Sequence, residues 1–194
     1  TISSNFGNMF SMAGASLFLP FLPLLAPQIL LNNFLSDIPG TAIAGDNVDP
    51  EWVAKPRRWN TKFIRNYMVL FGLVSSIFDF ATFGVLLFIF RASPEEFRTG
   101  WFIESLMTEL VIAMVVRTRR VFFRSRPGTL LWVSTVIVIA ITILLPYLPF
   151  AGIFGFIPLP APLMLTVLGL TGLYVLVTEI AKKFFYARIE NASA

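Results

Sequence analysis

Apolar runs about as long as a lipid bilayer is thick dominate this sequence, and they leave few possible folds. Inside a bilayer every backbone polar group needs a partner within the protein, so such runs fold as helices. We therefore predict an all-α fold, a polytopic transmembrane helical bundle that forms one transmembrane domain over residues 1–194. The six predicted spans are residues 6–25, 28–45, 67–90, 101–116, 130–148 and 163–181.

Two missing residue types limit the chemistry of this chain. It contains no cysteine and no histidine, so disulfides, thiolate or imidazole metal ligands and the usual general base are excluded. A metal site must consist of oxygen ligands, which suit magnesium, calcium or manganese. The sequence has neither a phosphate-binding Gly-rich loop nor a Ser/His/Asp arrangement. We therefore predict no catalytic residues in this chain.

The basic residues indicate topology rather than nucleic-acid binding. Most of the 15 Lys and Arg residues follow the second, fourth and sixth spans. Loops rich in Lys and Arg remain in the cytoplasm, so we expect both ends of the chain on the cytoplasmic side. The run from Arg117 to Arg126 is expected to be a topology signal that also contacts lipid headgroups.

The segment from Gln28 to Asp46 combines apolar residues with an acid and a predicted helix break. Asn33 and Asp37 are one helical turn apart, and Pro39 and Gly40, poor residues for a helix interior, follow at once. A break would free carbonyls, and a buried carboxylate must be paired, protonated or bound to metal. A cation site would satisfy both groups. Alternatively, Pro39 only kinks the helix and Asp37 pairs with a buried donor.

Three different spans carry an acid near the same depth of the membrane: Asp37, Asp79 and Glu109. No Lys or Arg lies inside any predicted span, so the three acids indicate a cation pathway rather than structural ion pairs. Neutral oxygens that could join them belong to Asn5, Asn8, Asn33 and Ser36. Asp79 could instead be protonated or bond to a neighbouring helix, and the asparagines could join helices through their amides.

Other acids have simpler interpretations. Glu104 lies nearer the outer end of its span, and we expect it at a vestibule or interface. Glu179 has Lys182 and Lys183 three and four residues later, which predicts a solvated pair at a helix end. The residues between Arg91 and Gly100 are expected to form a short loop.

Three sequence motifs resemble the C-terminal half of the membrane domain of P-type cation-transporting ATPases. Ile2-Ser-Ser-Asn-Phe-Gly-Asn8 is similar to the fifth transmembrane helix of that family, and Asn33-Phe-Leu-Ser-Asp37, followed by Thr41-Ala42, to the sixth. Lys55-Pro-Arg-Arg58 resembles the basic loop that follows the sixth helix. The six spans would then be helices five to ten of the family.

Within the family, the segments 46–49 and 55–60 look most like the bacterial magnesium-transporting branch. The resemblance implies Mg²⁺ as the transported ion and the inner membrane as the location. It places Asn5, Asn33 and Asp37 at cation-coordinating positions and Glu109 near a ligand position of the eighth helix. Calcium pumps carry an acid where this chain has Asn8, which argues against a two-calcium site.

The resemblance also implies partners that this sequence does not contain. They are helices one to four and the nucleotide, phosphorylation and actuator domains, through which alone ATP would act. The chain begins with neither a basic region nor Met, so we predict no cleavable signal peptide and treat it as part of a longer protein. Two alternatives are a truncated membrane partner or regulator of a full pump, and a proton-coupled secondary cation carrier.

Overall fold

The computed structural model describes residues 2–47, 49 and 61–193. For residues 2–5, 62, 63 and 188–193 only the backbone is described. The described residues fold into helices joined by short turns, without a strand, which confirms the predicted all-α bundle. The main helices are α1 Ile2–Phe18, α2 Ala26–Ala42, α3 Thr61–Gly84, α4 Pro94–Val116, α5 Thr129–Leu144 and α6 Ala161–Ser193.

Four of these helices, α3 to α6, are long and apolar enough to cross a membrane, with α3 and α5 extended by the turns that follow them. Helices α1 and α2 have 17 residues each. The predicted basic loop at Lys55-Pro-Arg-Arg58 lies outside the described residues.

Helix α4 is the centre of the bundle, because α1, α2, α3, α5 and α6 all contact it. Every residue from Trp101 to Leu110 is buried. The Trp101 ring packs edge-on against Phe83 of α3, with ring centroids 4.8 Å apart. A helix enclosed on all sides can carry polar residues at membrane depth only if neighbouring helices satisfy them. The polar side chains of α4 are therefore candidates for a functional site.

The predicted loop between Arg91 and Gly100 is wrong, because α4 begins at Pro94. Ser93 is the N-cap: its hydroxyl accepts a hydrogen bond from the Glu96 backbone N–H, and the Glu96 carboxylate accepts one from the Ser93 N–H. This reciprocal pair satisfies two of the free N–H groups at a helix start. Pro94 suits the first helical position, where no backbone donor is needed.

The predicted break at Pro39 is also wrong, since α2 continues through it to Ala42 and then tightens into a 3₁₀ turn, Ile43–Gly45. Pro39 has no N–H group, so the Leu35 carbonyl lacks its usual partner four residues later. The helix tolerates this loss because Pro39 is buried against the bundle and packing compensates for the missing bond. The second span therefore offers side chains from a continuous helix.

The segment that follows α2 contacts the segment that follows α4. Asp46 binds Arg117, with Oδ2 and a guanidinium nitrogen 3.0 Å apart, and accepts a hydrogen bond from the Gly128 N–H at 2.6 Å. Both side chains of the ion pair are nearly buried. Arg117 therefore ties α2 to α4, a contact within the chain that the sequence analysis did not predict for this basic run.

Asp49 extends this contact. Its carboxylate accepts hydrogen bonds from Thr118 and from Ser125, the latter at 2.7 Å. Burial alone would raise the pKa of Asp49. The two hydrogen bonds and the positive charges of Arg120 and Arg117 outweigh burial, so the pKa is lowered from its ordinary value of 3.8. Asp46 and Asp49 thus both hold the segment after α4 against the segment after α2.

Lys182 closes the same end of the bundle from α6. Its ammonium donates to the backbone carbonyls of Val115 and Arg120, at 2.9 and 2.7 Å, and to Glu179 at 2.9 Å. Lys182 is 1% exposed and Glu179 8%. The predicted pairing of these two residues is present, but the expectation that it is solvated is wrong. The lysine instead satisfies carbonyls that the end of α4 leaves free.

We expect Asp49→Asn to destabilise the native polypeptide by about 1–2 kcal/mol at neutral pH, a charged hydrogen-bond contribution reduced by screening at the rim. A lowered folded pKa contributes stability that is present above the unfolded value of about 3.9 and lost as pH falls through the folded value. The variant should therefore lose less stability than wild type below about pH 4. Denaturant unfolding across pH measures this, with Glu95→Gln, an exposed acid, as control. Parallel acid profiles for wild type and Asp49→Asn would contradict the assignment.

Lys182→Met is expected to cost about 3 kcal/mol of unfolding free energy, because it leaves the Glu179 carboxylate and two carbonyls without their buried cation. Lys183 is the matched control, since it is the next residue and is exposed. Thermal unfolding should separate the two Met variants clearly. Equal stabilities would show that the Lys182 contacts contribute nothing.

Candidate cation site

A half-open cavity of about 150 Å³ lies between α1, α2 and α4. Its polar lining consists of Asn8 from α1, Asn32 and Asn33 from α2, and Ser105 from α4, beside the Trp101 ring. The remaining walls are apolar side chains, including methionines and leucine. A polar-lined space of this size can hold a small ion together with water.

Three buried oxygens at or next to the cavity accept no hydrogen bond from the residues that the structure describes. They are Oδ1 of Asn8, Oδ1 of Asn32 and Oε1 of Glu109. A buried acceptor without a donor costs free energy of about 1–3 kcal/mol. All three are oxygens of the kind that bind hard cations. A cation at this place would supply what the protein leaves missing.

Glu109 of α4 is buried and meets the inner face of α2. Its Oε2 accepts a hydrogen bond from the Asn32 amide at 3.3 Å, and the Ser36 side chain also interacts with the carboxylate. Asn32 and Ser36 are four residues apart, so they share one helix face. Sequence reasoning named Ser36 and Glu109 but missed Asn32. The four-residue spacing between Asn32 and Ser36 was the signal that could have found it.

Asn33 and Asp37 occupy the neighbouring face of α2. Both are exposed on the described bundle, although Asn33 also lines the cavity. Asp37 lies near enough to Glu109 for the two negative charges to interact. Because Asp37 is exposed, it is not the buried partner of a donor inside the described bundle. The two α2 faces therefore place Asn32 and Asp37 on adjacent sides of one site.

Asp79 of α3 lies in a separate polar group. It is fully buried and accepts hydrogen bonds from the Ser11 hydroxyl at 2.6 Å and the Trp101 indole N–H at 2.9 Å. The carboxyl of Glu104 faces it from α4. Glu104 is fully buried, so its expected place at a vestibule or interface is wrong. Among the described residues no three acids form one cluster.

The sequence-predicted site residues therefore divide into three sets. Asn8, Asn33, Asp37 and Glu109 lie at or beside the cavity, and Asp79 pairs with Glu104 instead. For Asn5 the structure gives the backbone position in α1, and its side chain lies outside what is described.

Comparison with known proteins agrees with this architecture. Residues 21–184 match the protein family described as "Cation transporting ATPase, C-terminus". The "Magnesium-transporting ATPase, P-type 1" of Escherichia coli strain K12 is 40% identical over 193 residues, which cover 97% of this chain and 22% of the relative. Two proteins of the same name from Salmonella typhimurium are 39% and 37% identical, again over 97% of this chain and 21% of their length.

The chain thus spans about a fifth of the length of the curated relatives that it matches. The family match covers most of the chain, and a helical membrane bundle agrees with it. This protein belongs to the cation-transporting ATPase family, and its sequence corresponds to the C-terminal membrane region of that family.

Proposed function

We propose that this chain forms the cation-translocating part of a P-type ATPase and that Mg²⁺ is the ion it carries. The observation that carries the proposal is the set of buried oxygens without donors on Asn8, Asn32 and Glu109. The relatives are named as magnesium-transporting, and an all-oxygen site in a chain without His or Cys suits this ion.

The proposed ligand set combines carboxylates with neutral amides. Asp37 and Glu109 supply charge, and Asn8, Asn32 and Asn33 supply amide oxygens from two helices. Magnesium prefers six oxygens and gives up its water reluctantly, so a site of this kind keeps several waters. The cavity of about 150 Å³ provides room for them. Two carboxylates would balance the two positive charges of the ion.

Asp79 is outside the proposed ligand set. Its two oxygens already accept hydrogen bonds from Ser11 and Trp101, and it faces Glu104 rather than the cavity amides. Asn5 remains a predicted ligand, from its place in the first span and from the family resemblance.

The exposed face of α2 indicates how the rest of the pump would complete the site. Asn33 and Asp37 are exposed on the described bundle, and a carboxylate exposed at membrane depth needs a partner. We propose that the membrane helices preceding this chain in a full pump cover this face. ATP hydrolysis in the cytoplasmic domains would then move those helices, changing access to the ion and its affinity.

Asp37→Asn should abolish metal-stimulated ATP hydrolysis in the whole polypeptide to which this chain belongs. The variant keeps the side-chain size but removes one of the two charges that would hold Mg²⁺. ATPase activity as a function of Mg²⁺ concentration above that needed for Mg-ATP measures the effect. Glu95→Gln, an exposed acid of α4, is the control and should behave as wild type.

Wild-type turnover by Asp37→Asn would refute the assignment of the site. Transport driven by a pH gradient without ATP would replace the proposal with the secondary-carrier alternative. Co-purification with a separate pump and no transport of its own would favour the regulatory alternative.

Asn32→Ala is expected to raise the Mg²⁺ concentration for half-maximal ATPase activity about tenfold. The change removes one oxygen without a donor and the amide that donates to Glu109, and a tenfold weaker affinity corresponds to about 1.4 kcal/mol. The maximal rate should change less than the half-saturating concentration.

A matched control is Thr41→Ala, at the far end of α2, where the hydroxyl donates to the Ile38 carbonyl at 2.8 Å. An unchanged metal dependence for Asn32→Ala would remove the inner face of α2 from the site.

A further inference from the structure

The acid pair Asp79 and Glu104 forms a second polar group of the bundle, and its hydrogen bonds are incomplete. Asp79 Oδ2 accepts from Ser11 and Oδ1 from Trp101. Glu104 is 0% exposed, and neither of its oxygens receives a hydrogen bond from the described residues. The polar group that Glu104 faces is Asp79, which as a carboxylate can only accept.

Two ionised carboxylates cannot share this place without compensation. Moving one charge from water into a low-dielectric interior is costly, and two like charges in contact add to that cost. No Lys or Arg lies between Tyr67 and Phe90 or between Trp101 and Val116. The pair therefore needs a proton or a bound cation.

The surrounding helices supply no basic group that could replace the proton. Helices α1 and α5 contain no titratable side chain. The titratable side chain of α2 is Asp37, whose charge interacts with that of Glu109. From α6 the phenol of Tyr174 lies near both acids. On α4 the nearest other acid is Glu109, five residues further along.

We propose that Asp79 and Glu104 together bind one proton, at a site separate from the metal ligands. Asp79 is the ionised partner, because Ser11 and Trp101 donate to both of its oxygens. Glu104 carries the proton and donates it to Asp79, which gives the otherwise unpaired carboxyl its hydrogen bond. A proton fits better than a metal ion, because a proton needs only these two carboxyl groups, whereas a divalent cation such as Mg²⁺ needs about six oxygen ligands.

This site borders the proposed cation cavity and goes beyond the proposed function. Trp101 both donates to Asp79 and lines the cavity, and Ser11 lies one helical turn after Asn8. The proton therefore fixes the positions of α1 and α4 on two sides of the cavity. Loss of the proton would leave adjacent carboxylates that repel each other and separate α3 from α4.

The test is infrared difference spectroscopy of the whole native polypeptide at neutral pH, combined with thermal unfolding across pH. Glu104→Gln should lose one carboxylic-acid C=O band that wild type shows, whereas the exposed-acid control Glu95→Gln keeps it. As pH rises above about 4.3, the pKa of Glu in an unfolded chain, the wild-type unfolding temperature should fall more steeply than that of Glu104→Gln, because the amide always donates to Asp79.

Two results would overturn the proposal. One is a Glu104→Gln spectrum that keeps every carboxylic-acid band of wild type. The other is the disappearance, when Mg²⁺ is added to wild type, of the band that Glu104→Gln lacks, since that would place the metal at the pair. If Glu104→Gln does not fold, Asp79→Asn serves instead: the band should shift as Glu104 loses its carboxylate acceptor, and an unshifted band overturns the assignment. The outcome for Asp37→Asn is independent, so this proposal and the proposed function can fail separately.

Discussion

The enclosure of α4 by the other helices is the constraint on which the rest of the structure depends. Every residue from Trp101 to Leu110 is buried, yet this stretch carries Glu104 and Glu109. Neither carboxyl can reach water or a basic side chain of its own span, so each must be satisfied by a neighbouring helix. Glu104 meets Asp79 of α3, and Glu109 meets Asn32 of α2. The buried carboxyl groups of α4 thus determine how α2 and α3 are positioned against it.

Contacts at the end of α4 hold this arrangement in register. Arg117 binds Asp46 after α2, and Lys182 of α6 donates to carbonyls at and beyond the end of α4. Each interaction uses a buried charge that would be costly alone, so a shift of one helix along another would leave that charge unpaired. Charged groups specify the register here, whereas apolar packing in a membrane distinguishes poorly between neighbouring registers. The faces that α2 and α6 present to α4 follow from these anchors.

The sequence allowed the fold to be predicted, because apolar length and charge placement determine where helices cross a bilayer. It located the site only in part. Glu104 was placed near an interface because the span was counted from Trp101, whereas the Ser93 cap begins the helix at Pro94 and puts Glu104 deeper. Glu179 was expected in water because charge spacing cannot report that α4 covers it. Asn33 was preferred over Asn32 because it lies one helical turn before Asp37, whereas the rotation of the helix depends on tertiary contacts that the sequence does not state.

The rotation of α2 explains why the site is only half enclosed by this chain. Adjacent residues of an α-helix point about 100° apart, so Asn32 is buried while Asn33 is exposed, although both line the cavity. With Asn32 and Ser36 turned towards Glu109, Asp37, one turn after Asn33, is exposed as well. A ligand set drawn from both faces needs a further surface opposite Asp37. This chain covers 22% of the curated relative from Escherichia coli, so under the proposed function that surface would come from the rest of a full pump. On that proposal, covering Asp37 would complete the ion's coordination, and uncovering it would open a path to the ion.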